Sequence, residues 1–149
     1  MNLLAQLRAQ HEEDLLLYRQ AHQDPLNRGL HWLCIPLETL AFLGAVGCAC
    51  GRTYMHAWAW TLAILSLLLS PTLVGQVAAA FHVVAAHLLE RHLYYHKQRW
   101  ELLGVLWCTS WVLQVGVGHY WFEGNQPNLV NDSVSWLALT QSVLMAWKS

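Results

Sequence analysis

Charge is what this chain lacks where it matters most. From position 32 to position 50 the only ionisable side chain, apart from weakly acidic thiols, is Glu38, and similar apolar stretches recur further on. A helix of that length reaches across a hydrocarbon layer about 30 Å thick. Only 11% of the 149 residues are Asp, Glu, Lys or Arg and 56% are hydrophobic, whereas a soluble domain carries about a quarter charged residues. Too few charges remain to cover a water-exposed surface, so the folding solvent is a bilayer. There a continuous apolar segment is a helix, because its backbone groups must bond within the segment.

The pattern divides the chain. Residues 1–24 read as an amphipathic surface helix: Leu4, Leu7, His11, Leu15, Tyr18 and His22 recur at steps of three or four, with Glu12, Glu13, Arg19 and Gln20 elsewhere. Asp24-Pro25 ends it, since proline offers no N–H and pushes its predecessor out of the helical region. Asn27 is the candidate cap of the next helix. Candidate membrane helices then cover 32–50, 57–74, 76–93, 102–118 and 133–147. His82, His87, Glu90 and Arg91 interrupt the third, which either spans with these groups facing the bundle or lies flat. The last is at the short edge of spanning length, with Asp132 as its expected cap. Tryptophans cluster near the proposed ends, among them Trp32, Trp58, Trp60, Trp100 and Trp121, as interfacial rings do. The expected fold is all-α, one polytopic membrane bundle (1–149) of four to five spans behind an amphipathic N-terminal helix. Residues 1–24 are too polar for a secretory signal. The first hydrophobic helix is expected to direct the chain to a bacterial inner membrane or to the endoplasmic reticulum.

Several function classes drop out. The net charge is −1 and the eight Lys and Arg form no run, so nucleic acid is not an expected partner. Cys34, Cys48, Cys50 and Cys108 all sit in apolar stretches without CxxC spacing, and read as compact buried hydrophobes.

Nine histidines remain to be explained. His22 and His31 flank the proline corner, one ending the surface helix and the other a turn into the first span. The corner can turn both rings towards one point, and the positive end of a helix dipole near His31 keeps its ring neutral, as a metal ligand requires. In the second cluster, Gly116 to Pro127, a helix that continues past Gly118 puts His119 and Glu123 on one face. If 76–93 spans, four crossings separate His31 from His119 and the clusters meet; if it lies flat they face opposite leaflets. His11, His56 and His96 read as interfacial rings with wet tips. His82 and His87 are about 140° apart around a helix and cannot both face one site. His87 is the candidate fourth ligand, and Glu123 is either a ligand or the group that orients one. Glu38, two turns below His31, lines the same face.

These clusters resemble the 2-hydroxy fatty acid dioxygenases of lipid α-oxidation, small membrane proteins. The match is Tyr18-x3-His22-x-Asp24-Pro25-x-Asn27-x3-His31-x4-Pro36, then Gly118-His119-x2-Phe122-Glu123-x3-Pro127 and Asp132. The resemblance implies an Fe(II)-dependent enzyme that shortens a 2-hydroxy fatty acid by one carbon with O2, in breakdown of the sphingolipid long chain. It implies His22, His31 and His119 as iron ligands, and marks Asp24, Asn27 and Glu123 as candidate catalytic residues. The chain departs from the family at Asp24, usually Asn, at Glu38 in the membrane, and in a last helix without the expected proline. Those departures bear on the substrate more than on the metal. Imidazole and carboxylate donors with open positions suit non-haem Fe(II), and an acyl tail would lie among the Leu and Val of the bundle.

Two other functions compete: a transporter or proton/metal conduit using Glu38, His82, His87 and Glu90, and a structural membrane subunit. No internal repeat supports the conduit. With five spans, Arg8, Arg19 and Arg28 lie on the site's side, against Arg52, Arg91, Lys97, Arg99 and Lys148. That balance slightly favours a cytoplasmic far face, while Fe(II) favours a cytoplasmic site.

Overall fold

The computed structural model describes residues 2–124, which contain helices and no strand. The expected helix 133–147 and its cap Asp132 lie outside the described residues.

Helix α1, Leu3–Ala21, opens on Asn2, whose side chain accepts the Ala5 N–H at 2.8 Å, and its last turn closes with the His22 N–H on the Tyr18 carbonyl. The corner follows where expected, but Asp24 makes it, not Asn27. The Asp24 carboxylate accepts from the N–H groups of Leu26 (2.7 Å) and Asn27 (3.0 Å), and Pro25 takes the first helical position. A proline there loses no bond and arrives with its φ already helical. Helix α2, Pro25–Cys50, therefore begins before the expected span, which leaves the Asn27 side chain uncommitted to the helix end.

Gly51, at φ +99°, makes the next turn alone, and α3 starts at once, Arg52–Leu69. Pro71, between Ser70 and Thr72, stops it short of the expected boundary at 74, and α4 runs Leu73–His92. After the turn at 93–98, helix α5, Arg99–Trp111, passes directly into a π-helical segment, Val112–Glu123. Its wider turn shows where the Gly124 N–H bonds the His119 carbonyl five residues back. The helix thus does run past Gly118.

Pro25–Cys50, Leu73–His92 and Arg99–Glu123 are each long and apolar enough to cross a membrane. For the two middle helices the expectation is reversed. Helix α4, the weak candidate, qualifies, while α3 falls short because Arg52 and His56 dilute its first turns.

Neighbouring helices run antiparallel. Glu90 near the end of α4 meets Arg52 (3.3 Å) and His56 (2.8 Å) at the start of α3. Helix α2 pairs with α5 and the π-helical segment through Glu38–Gln114 and the close approach of Asn27 to Gly118. A core of Leu43, Met55, Ala59, Leu62, Ala85, Ala86 and Leu89 joins α2, α3 and α4. Outward faces carry Ile64, Leu68, Val84, Val105 and Val112, all exposed, which is the inverse of a water-soluble surface and the pattern of a bundle in lipid. The path from His31 to His119 runs away along α2, back along α3, away along α4 and back to Glu123. Both histidine clusters therefore lie at one end of the bundle, where α1 docks on α3 through Arg8 Nε donating to the Leu68 carbonyl at 2.8 Å.

Candidate metal centre

Three imidazoles meet at that end. His22 follows α1, His31 lies in the second turn of α2, and His119 belongs to the π-helical segment. All three are buried, and one nitrogen from each lies within 4.8 Å of the other two. The Nε2 atoms of His22 and His31 are 3.3 Å apart, and the His119 ring centroid is 4.9 Å from that of His22 and 5.1 Å from that of His31.

The outer nitrogens fix what the inner ones can be. His22 Nδ1 is 2.8 Å from the Tyr18 carbonyl and His31 Nδ1 is 2.9 Å from the Asn27 carbonyl. A carbonyl only accepts, so each Nδ1 carries the hydrogen, and in a neutral ring Nε2 is then a bare acceptor. Two acceptors at 3.3 Å cannot hydrogen-bond to each other. Protonating one ring would relieve them, but burial holds the His22 pKa below its usual value, outweighing the Tyr18 carbonyl bond that raises it. A shared cation satisfies all the inner nitrogens together. His119 Nδ1 lies 3.3 Å from Glu123 Oε2, one helical turn on, with both side chains almost fully buried, which leaves its Nε2 for the centre. The rings of His22 and His31 are thus tied at Nδ1 by carbonyls, and Nδ1 of His119 faces a carboxylate, the kind of arrangement that orients histidines around metals. The donor set fits a divalent transition metal with positions left open.

Residues 8–149 match the family model described as 2-hydroxy-palmitic acid dioxygenase Mpo1-like. The chain belongs to this family. No curated protein and no solved structure matches it. The family description names a dioxygenase, and the three buried histidines are a group that can hold the metal such an enzyme implies.

The remaining site residues divide. Glu123 reaches His119 with one oxygen and accepts the Asp24 N–H at 3.4 Å with the other, so it ties the π-helical segment to the corner. Asp24 lies at the rim with one oxygen spent on the α2 cap. Asp caps a helix as well as Asn, so the chain's departure from the family at this position leaves the corner intact. Asn27 is fully buried one turn before His31. Tyr18 stacks on His22 with ring centroids 3.9 Å apart.

His87 is not brought to the site. It is exposed on α4, which packs against α3 and α2, while the inward position on that helix goes to His82, fully buried against Phe81. The expected angle between the two decides which faces in. The residues of the proposed conduit are likewise dispersed, since His87 faces out and Glu90 is tied to Arg52 and His56 at the far end.

His11 also differs from expectation: it is 2% exposed, not wet-tipped. Gln114 was missed altogether. Its Nε2 donates to Glu38 Oε1 at 2.6 Å, one buried polar pair below the histidines. No local signal marks Gln114, because its partner is fixed only by the register between the π-helical segment and α2.

Proposed function

We propose that the chain is a non-haem Fe(II) dioxygenase that shortens 2-hydroxy fatty acids by one carbon, with His22, His31 and His119 as the iron ligands. The observation that carries this is the set of inner nitrogens, left as acceptors by the bonds at Nδ1 and brought together in a buried site. The family match supplies the reaction class. Iron held there supplies the means of bringing O2, a ground-state triplet, into reaction with an organic acid.

The overall chemistry balances without an outside reductant. A 2-hydroxy acid and O2 give the acid one carbon shorter, CO2 and water. The hydroxyl-bearing carbon becomes a carboxyl carbon and the old carboxyl leaves as CO2, which together yield the four electrons that O2 accepts. The protein's part is to hold the histidines in one tautomer, through Tyr18, Asn27 and Glu123, and to keep the site dry. Leu26, Leu33 and Trp121 stand exposed beside it, which suits entry of an acyl chain sideways from the bilayer. Substrate and O2 then reach a site at the membrane boundary, in a bacterial inner membrane or the endoplasmic reticulum.

The test is iron stoichiometry after gentle purification together with turnover of 2-hydroxypalmitate under air. His22→Ala, His31→Ala and His119→Ala, each measured separately, are expected to lose both while still inserting. Iron retained by all three variants, or wild-type iron without any turnover, overturns the assignment.

A further inference from the structure

Buried polar groups are hydrogen-bonded as a rule, and an exception beside a reaction centre marks a place for something else. Besides Glu123 Oε2, which faces His119 Nδ1 at 3.3 Å, two such side chains flank the three histidines. The Asn27 side chain is 0% exposed, yet neither its Oδ1 nor its Nδ2 has a hydrogen-bond partner among the described residues. The Tyr18 hydroxyl is likewise buried without a partner. Both residues already serve the site through the backbone, their carbonyls holding His22 and His31. Backbone bonds thus hold both residues next to the centre without using their side chains.

Packing brings the amide in deliberately. A Cβ at Gly118 would collide with Asn27 Oδ1, so the glycine next to His119 makes room for this carboxamide. Tyr18 is held against the histidines by its stack on His22 and its edge contact with His31 at 6.1 Å between centroids. A phenol is protonated at neutral pH, so its hydroxyl is a donor. Three hydrogen-bond donors, two on Nδ2 and one on the phenol, and one acceptor on Oδ1 thus lie in a dry place with nothing among the described residues to meet them.

The head of a 2-hydroxy acid presents the complementary set. Its carboxylate accepts, and the hydroxyl on the next carbon donates. A carboxamide can answer both at once, N–H to carboxylate and C=O to hydroxyl, while a phenol adds a second donor to the anion. Hydrogen bonds to an anion in a water-poor site are the strong ones. A fatty acid without the 2-hydroxyl would leave the amide oxygen unmet, and a buried group left unpaired is what makes a site selective. We propose that Asn27 and Tyr18 are the residues that recognise the 2-hydroxy acid head, Asn27 by reading the hydroxyl and carboxylate together and Tyr18 by donating to the carboxylate. This rests on the function proposed above and adds the source of its selectivity.

The test is equilibrium binding of 2-hydroxypalmitate and of palmitate to the Fe(II)-loaded protein in detergent without oxygen, where no turnover intervenes, read by tryptophan fluorescence. Asn27→Leu keeps nearly the same size and removes both the donors and the acceptor; Tyr18→Phe removes one hydroxyl. Wild type is expected to prefer 2-hydroxypalmitate. Tyr18→Phe is expected to weaken its binding about tenfold, the worth of one hydrogen bond to a charged group. Asn27→Leu is expected to weaken it at least as much and to erase the preference over palmitate, with iron content kept and Tm not lowered for either variant. Variants that keep wild-type affinity and preference overturn this inference alone, as do variants that lose iron or stability along with affinity, since that makes the residues structural. Failure of the iron-loaded wild type to bind 2-hydroxypalmitate overturns the proposed function and this inference with it.

Discussion

Of the three groups that face the histidines at Nδ1, two are backbone carbonyls that no substitution removes, and the third is the Glu123 carboxylate. Glu123→Ala is therefore the one side-chain change that frees a proposed ligand without touching it. In the structure Oε2 lies 3.3 Å from His119 Nδ1, with the side chains 7% and 4% exposed, so water neither screens the contact nor replaces it. Removing a group of this kind from a metal site costs about 10–100-fold in affinity, equivalent to roughly 1.4–2.8 kcal/mol. The upper part of that range is expected, because the same carboxylate also accepts the Asp24 N–H and its loss loosens the corner that carries His22 and His31. Glu123→Gln keeps an oxygen that can accept from Nδ1 and lacks the charge, so its loss should be the smaller. The assay is competition for Fe(II) against a chelator of known affinity, with Zn(II) as a redox-inert check. Wild-type affinity in Glu123→Ala would refute the idea that this carboxylate orients His119. Complete loss of metal, as for a histidine variant, would instead make Glu123 a ligand.

Three further outcomes follow. His87→Ala is expected to keep full iron content and turnover, since the ring is exposed away from the site; loss of either would return it to the ligand set. Gly118→Ala forces a methyl against Asn27 Oδ1 and is expected to lower stability by about 1–3 kcal/mol, the usual cost of overpacking, seen as a lower Tm and weaker iron retention. An unchanged Tm would deny the close approach. Metal-free protein should lose stability as pH falls below about 6.5, where the unfolded His22 takes up a proton that burial denies it in the fold. Thermal unfolding in detergent at pH 7.5 and 5.5 checks this, and a Tm indifferent to pH, or higher in acid, contradicts it.

How much of this was open to a reader of the residues alone depends on the distance over which each decision is made. The membrane-bundle class and the corner at Asp24-Pro25 are local: they come from the scarcity of charge over whole helices and from proline's missing N–H. The identity of the capping residue, the start of α2 at Pro25 and the end of α3 at Leu69 are also local, yet they turned on competition between near neighbours, Asp24 against Asn27 for the cap and Pro71 against the apolar run that continues to 74 for the end of α3, which composition does not rank. The His22, His31 and His119 group was legible because crossing number is a counting problem, and it became certain only when α4 took its place in the antiparallel path.

What tertiary packing alone decided are matters of register and rotation. Which of His82 and His87 faces inward, why His11 is buried, that Glu38 meets Gln114 and that Gly118 admits Asn27 all depend on how one helix is turned and slid against another. An apolar stripe tolerates many such settings at similar cost, whereas close packing and the pairing of buried polar groups select one. The sequence by itself determined which side chains could hold a cation; whether the two histidine clusters share one end of the bundle was left to the path of α4. Only the assembled helices decided that carbonyls and Glu123 occupy the outer nitrogens, because that requires backbone and side chains from α1, α2 and the π-helical segment to meet within hydrogen-bonding reach.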